Sequence, residues 1–180
     1  MNIFRLDNDP VIAADMAMSC HKIKMCLEST QLLHTSLHTH GFRADWLYKP
    51  FNPKHPSCKW AMATRGNYLW LVTHAKALCN AYKRLYGKQH KCLEKILLAE
   101  LHSHIIPVGD ETPQLLAMPD QFHTDNAVHS YRLYYAGAKS KMKRGGWKLP
   151  DKPPYWWDEY RNLVIQNHLE VVNDKNDGVK

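Results

Sequence analysis

Between Asn67 and Tyr86 the apolar positions recur at helical spacing. Leu71, Ala75, Leu78, Tyr82 and Leu85 lie 4, 3, 4 and 3 residues apart, which predicts a helix with one buried stripe. Gly87 ends it, as glycine commonly does past a helix C-terminus. Upstream, Asp9 followed by Pro10 reads as an N-cap and first helical residue. That helix runs from about Pro10 with a break near Ser19, and the next segment continues to His40 and stops at Gly41. "HKCLEKILLAELHSH" predicts a further amphipathic helix. Another is expected from after Asp125 to about Met142, and a last one after Trp157.

The segments between these are polar or proline-marked. "NIFRL" reads as a short strand or an extended arm. "GFRADWLYKPFNPKHP" is a loop with three prolines and several aromatics. "IIPVGDETPQLLAMPDQF" is a long connection of the kind that is either functional or loosely packed. "KMKRGGWKLPDKPPYWW" is basic, then proline-rich, then aromatic. There is no internal repeat and no domain boundary. The expectation is a mainly α protein: one compact helical domain over residues 1–172 with a short extended N-terminal segment, and a polar C-terminal tail over 173–180.

Composition narrows the class. The chain has 180 residues, 44% hydrophobic and 23% charged, ordinary for a globular domain. No apolar run reaches the length of a membrane span. "MNIFRLDNDP" has neither the basic start nor the apolar run of a signal peptide. The five cysteines are odd in number and contain no C-x-x-C, a pattern of free thiols in a reducing compartment. A cytoplasmic protein is expected, with no membrane partner. A net charge of +7 favours polyanions: DNA, RNA or a phosphorylated small molecule.

Four stretches hold residues suited to chemistry. On a helical wheel His21, Lys24, Glu28, Gln31, Thr35 and His38 share one polar sector. An imidazole, an amine and a carboxylate a turn apart suit general acid–base work or an amine nucleophile. The same sector also suits a solvated face with an i,i+4 Lys–Glu pair. In "NYLWLVTH", Asn67, Trp70 and His74 line up beside small residues that would frame a flat ligand such as a nucleobase; helix packing is the plain alternative. Around Gly87, Arg84, Lys88, His90 and Lys91 gather with Tyr82 and Tyr86, a mixture suited to a phosphate backbone or simply to a helix C-terminus. The run Lys139, Lys141, Lys143, Arg144 and Lys148, with Arg132 upstream, suits phosphate contact or a solvated surface.

Other chemistries lack support. His34 and His38, and the pairs His38-x-His40 and His102-x-His104, have no firm third ligand, so no metal and no cofactor is expected. P-loop, dinucleotide-binding and nucleophile-elbow motifs are missing from the sequence.

The order of "NIFRLDNDPVIAA", "HKIKMCLESTQLL", "KHPSCKW", "NYLWLVTHAKAL", "YKRLYGKQHK", "TPQLLAMP", "YRLYYAGAK" and "PPYWW" resembles a family of small phage-encoded proteins across nearly the whole chain. The chain also resembles pyrimidine-dimer DNA glycosylases of the endonuclease V type, which are small, basic and helical and carry a histidine seven residues before a catalytic glutamate; His21 and Glu28 have that spacing. The resemblance implies a glycosylase, with or without lyase activity, acting on damaged or modified pyrimidines in double-stranded DNA within the host cytoplasm. Glu28 would be the acid/base group and His21 its positioner or a phosphate contact. In that family the nucleophile is the amine of the residue exposed by methionine removal; Asn2 is bulky, which leaves the amine on Met1, with Lys24 as a substitute. Trp70 and Tyr86 would support an extruded base, with Asn67 and His74 alongside. Arg84, Lys88, Lys91, Arg132 and Lys139 would hold phosphates. The competing expectation is a non-catalytic binder of a nucleotide or nucleotide-like signal, one that counters host defence.

Overall fold

A computed structural model describes residues 2–169. Met1 and the expected tail over 173–180 lie outside the described residues. Seven helices account for the architecture: α1 (Pro10–Met16), α2 (Ser19–Thr39), α3 (Pro56–Ala63), α4 (Arg65–Tyr86), α5 (Leu93–Leu101), α6 (Ala127–Gly137) and α7 (Trp157–Gln166). There is no strand among the described residues, and no helix among them is long and apolar enough to cross a membrane. The fold is all-α.

The long helices α2 and α4 form the central pair. α1 lies along α4, α3 and α5 flank both, and α6 packs with α7. Asp9 caps α1, accepting from the N–H groups of Val11 (2.7 Å) and Ile12 (3.1 Å), as its position before Pro10 predicts. α4 begins two residues before the expected Asn67, because Thr64 caps it through the Asn67 N–H. α3 was not anticipated: Pro56 opens it and the His55 side chain caps it.

α6 stops at Gly137, short of the expected Met142. A β-carbon at Gly137 would lie 2.7 Å from the Phe122 ring, so the packing there admits only glycine, and the chain tightens into a 3-10 turn over Lys139–Lys141 just beyond. Lys22 is fully buried in α2 and pairs with Asp151 at 2.6 Å. That contact, with Lys148 N–H donating to Ser19 Oγ at 2.8 Å, holds the proline-rich segment against α2.

Two extended segments complete the core. Ile3, Phe4 and Leu6 are buried and thread the chain's start between helices. The long connection from 105 to 122 runs beside them and is pinned throughout. Its carbonyls at Pro107 and Gly109 accept from the N–H groups of Arg65 (2.7 Å) and Gly66 (2.9 Å), and that at Thr112 accepts from Trp60 Nε1 (3.0 Å). Gln114 Nε2 donates to the Ile3 carbonyl at 2.8 Å. A β-carbon at Gly66 would meet the Glu111 nitrogen at 2.4 Å, so this approach of two backbones requires glycine.

Candidate functional site

The polar sector of α2 is not a solvated face. Lys24 is exposed, but His21, Thr35 and the neighbouring His34 are buried, and Glu28, Gln31 and His38 are half-buried. The loop after α2 lies across its C-terminal half. Tyr48 N–H donates to His34 Nδ1 at 2.8 Å, Phe51 N–H donates to Thr35 Oγ1 at 3.1 Å, and His38 Nε2 donates to the Tyr48 carbonyl at 3.1 Å. These side chains give the loop backbone its hydrogen-bond partners.

Where that cover ends, Glu28 gathers other groups. Its Oε2 accepts the Asn2 backbone N–H at 3.1 Å. Its Oε1 lies 3.4 Å from Lys24 Nζ, with the glutamate side chain 12% exposed and the lysine 71%. His55, at the end of the covering loop, feels the charge of Glu28. Burial lowers its pKa first and the charge of the chain's N-terminus second, while Glu28 acts in the opposite sense. His55 Nδ1 accepts the Ser57 N–H at 3.2 Å, so its ring proton sits on Nε2.

The position of Asn2 follows from its side chain. Nδ2 donates to the Ala117 carbonyl at 2.8 Å. Oδ1 accepts from the Tyr131 hydroxyl at 2.9 Å and from the Ile3 N–H at 2.8 Å. This saturated amide orients the backbone nitrogen toward Glu28. A carboxylate and the backbone nitrogen of Asn2 thus meet in a partly covered setting, with the His55 imidazole within electrostatic reach. Neither Asn2 nor His55 has a spacing to Glu28 that a helical wheel could reveal.

His21 is not part of this group. Its ring stacks on Phe4 with centroids 4.5 Å apart, and its Nδ1 lies 2.5 Å from the Tyr135 hydroxyl. That hydroxyl accepts from Met18 N–H, so its own proton goes to His21. Burial, followed by the charges of Lys139 and Lys24, lowers the His21 pKa to about 3. It is a neutral core residue at neutral pH.

The expected ligand-binding line on α4 is also occupied by the fold. Asn67 is buried and donates to the Trp60 carbonyl (2.8 Å) and Thr112 Oγ1 (2.9 Å), while accepting Thr112 N–H (2.8 Å). Trp70 Nε1 donates to the Asn8 carbonyl at 2.8 Å, and the Arg5 guanidinium lies over its ring at 4.6 Å. His74 Nδ1 donates to the Pro10 carbonyl at 2.9 Å. No wall of a base pocket is left on these three. Tyr86 is half-buried against Tyr82, centroids 4.9 Å apart.

The expected phosphate contacts divide. Arg84 bridges Asp15 and Asp151 at 2.5 and 3.2 Å, beside a groove of about 460 Å³ between α1 and α4 that Glu28 does not line. Arg132 donates to the Leu6 carbonyl, pairs with Asp7 at 3.4 Å and lies over the Trp156 ring at 5.1 Å. Both arginines are engaged by the fold and stand apart from Glu28. Lys88 and Lys91 are exposed past the end of α4. Lys139 sits over Tyr134 at 4.9 Å. It begins the basic stretch that packs on the start of α2, where Ser19 N–H donates to the Gly146 carbonyl at 3.0 Å. No known protein family, characterised protein or solved structure matches this chain.

Proposed function

We propose that this protein is a DNA glycosylase acting on damaged or modified pyrimidines, with Glu28 and an amine at the start of the chain as its reacting groups. The observation that carries the reading is the 3.1 Å contact between the Asn2 nitrogen and Glu28 Oε2. With the chain starting at Asn2, that nitrogen is the α-amine itself; with it starting at Met1, the amine is one residue upstream. An α-amine has a reference pKa of about 8 against about 10.4 for a lysine, so it is the better free base at neutral pH.

In the reaction the amine attacks C1′ of the damaged nucleotide. The glycosidic bond breaks, and the base leaves with the electron pair and takes up a proton. The amine proton passes to Glu28, and sugar-ring opening leaves an imine between protein and DNA. Glu28 stabilises the cationic sugar, and His55 Nε2–H is a nearby proton source. Extruding a base costs a few kcal/mol and needs apolar replacement contacts; Leu27, adjacent to Glu28 and 42% exposed, supplies one. Lys143, Arg144 and Lys148 are exposed in the segment seated on the start of α2. Nine residues separate Ser19 from Glu28, a rise of about 13 Å along the helix, within the footprint of a duplex.

Borohydride trapping on duplex DNA containing an abasic site tests this. The expected result is a covalent adduct on the N-terminal peptide, lost or strongly reduced in Glu28→Gln, which keeps the acceptor for Asn2. An adduct on Lys24 moves the nucleophile to that side chain. Neither adduct nor base release on pyrimidine-damaged DNA overturns the proposal.

A further inference from the structure

We infer that Cys26, Cys79 and His90 form a binding site for a thiophilic d10 metal ion, zinc(II) being the one their donor set suits. Cys26 lies on α2, Cys79 on α4, and His90 on the turn between α4 and α5. One ligand atom from each lies within 4.8 Å of the others. The two sulfurs are 3.6 Å apart. Two thiolates on a tetrahedral zinc, each at about 2.3 Å, stand about 3.8 Å from one another, so the helix pair already has nearly the required separation.

Both thiols are buried and His90 is half-buried, which leaves entry from the histidine side. Cys92 adjoins the group: it acts electrostatically on Cys26 and itself feels Cys79. Without metal, the contact with the Cys79 thiol and then burial raise the pKa of Cys26 and keep it protonated. Binding releases one proton from each thiol. The resulting centre of two thiolates, one neutral imidazole and one zinc(II) carries no net charge, which suits a buried location. Three protein ligands leave one tetrahedral position open.

His90 must exchange one backbone partner for the metal. Its Nδ1 accepts the Cys92 N–H at 3.1 Å, and its other nitrogen is turned toward the Ile23 carbonyl, which raises its pKa against the effect of burial. A carbonyl on the far nitrogen is the outer-shell arrangement that orients a ligating histidine. The metal then replaces the Cys92 N–H on Nδ1. The short turn after Gly87, in the left-handed region at φ 67°, allows the ring to close the remaining distance.

Titration of the reduced full-length protein with cadmium(II), then zinc(II), tests the site. The expected result is a thiolate-to-cadmium charge-transfer band saturating at one equivalent and displaced by zinc. The band should persist in Cys20→Ser/Cys58→Ser, vanish in Cys26→Ser/Cys79→Ser, and need roughly tenfold or more metal in His90→Ala. Zinc at about a hundred times its Kd should raise the melting temperature by roughly 5–10 °C. A silent titration, or a band that survives in both Cys26→Ser/Cys79→Ser and His90→Ala, overturns the inference. Should the double cysteine variant not fold, an unchanged affinity in His90→Ala suffices to reject it.

Discussion

Asp151→Ala should be among the most damaging substitutions in this protein, although residue 151 lies in a loop. Asp151 receives Lys22 Nζ on Oδ2 at 2.6 Å and Arg84 on Oδ1 at 3.2 Å. The Lys22 side chain is 0% exposed, that of Asp151 7% and that of Arg84 45%. Removing the carboxylate strands an ammonium in the interior between α2 and the proline-rich segment. An orphaned buried charge costs about 3–5 kcal/mol. The Arg84 contact adds little to this loss, because that side chain reaches water and keeps Asp15. For a chain of 180 residues each kcal/mol is worth about 2–4 °C, so the melting temperature should fall by roughly 6–20 °C.

The reverse substitution separates the orphaned charge from simple loss of contact. Lys22→Met leaves Asp151 with Arg84 and puts an apolar chain in an apolar place, so it should cost about 1–3 kcal/mol. Lys22→Met/Asp151→Ala should then be no worse than Asp151→Ala alone, giving a coupling of at least about 1 kcal/mol. Urea unfolding of the four proteins, with slopes checked for constancy, measures this cycle. Additive single effects, or an Asp151→Ala variant within about 1 kcal/mol of wild type, would refute the reasoning.

Three further outcomes are expected. Acid should unfold the protein early: burial lowers the pKa of His21 to about 3 and those of His34 and His74 to about 4. The unfolded chain takes up these protons below about pH 6.5 while the folded one does not, so stability is full above that pH. It should fall by about 1.4 kcal/mol per histidine per pH unit down to about pH 4; equal unfolding midpoints in urea at pH 7.5 and pH 5 would contradict this. Gly66→Ala should cost roughly 1–3 kcal/mol, because the new methyl meets backbone at Asp110 and Glu111; a melting curve within 1–2 °C of wild type would show that the connection can yield. Lys143→Ala/Arg144→Ala should lower the salt dependence of duplex-DNA binding by at most about two units in log–log slope, and an unchanged slope would put DNA elsewhere.

Helix periodicity was a good guide where one face of a helix dominates. α4 has its apolar stripe on one side, and its ends were legible to within two residues. α3 escaped because eight residues are too few to show a period, and histidine at position 55 is not a usual cap. The sequence predicts α6 too long because the helix gives way after Ala138 to a 3-10 turn over Lys139–Lys141, with no proline or glycine between 138 and 144 to mark the change. On α2 the polar pattern suggested water or chemistry, yet much of it is covered by the chain itself. His34, Thr35 and His38 serve the loop backbone at Tyr48 and Phe51. Buried polar residues that satisfy a distant backbone look like surface residues until the fold supplies the partner.

The same limit applies to the site, and there it points to a physical connection. Glu28 stands out in the sequence, but Asn2 reaches it, and His55 feels its charge, only because two irregular segments close over α2. The start of the chain is held by Asn2 through Ala117 and Tyr131 and by Ile3 through Gln114. The covering loop ends at His55, where α3 begins. The contacts that hold Asn2 in place also aim its backbone nitrogen at Glu28. Neither extended segment has a regular ladder of its own, so loosening either one should disturb Glu28's partners before it disturbs the helices. The chemistry is therefore sensitive to the packing of residues 2–6 and of the covering loop over 41–55, which lie outside every helix.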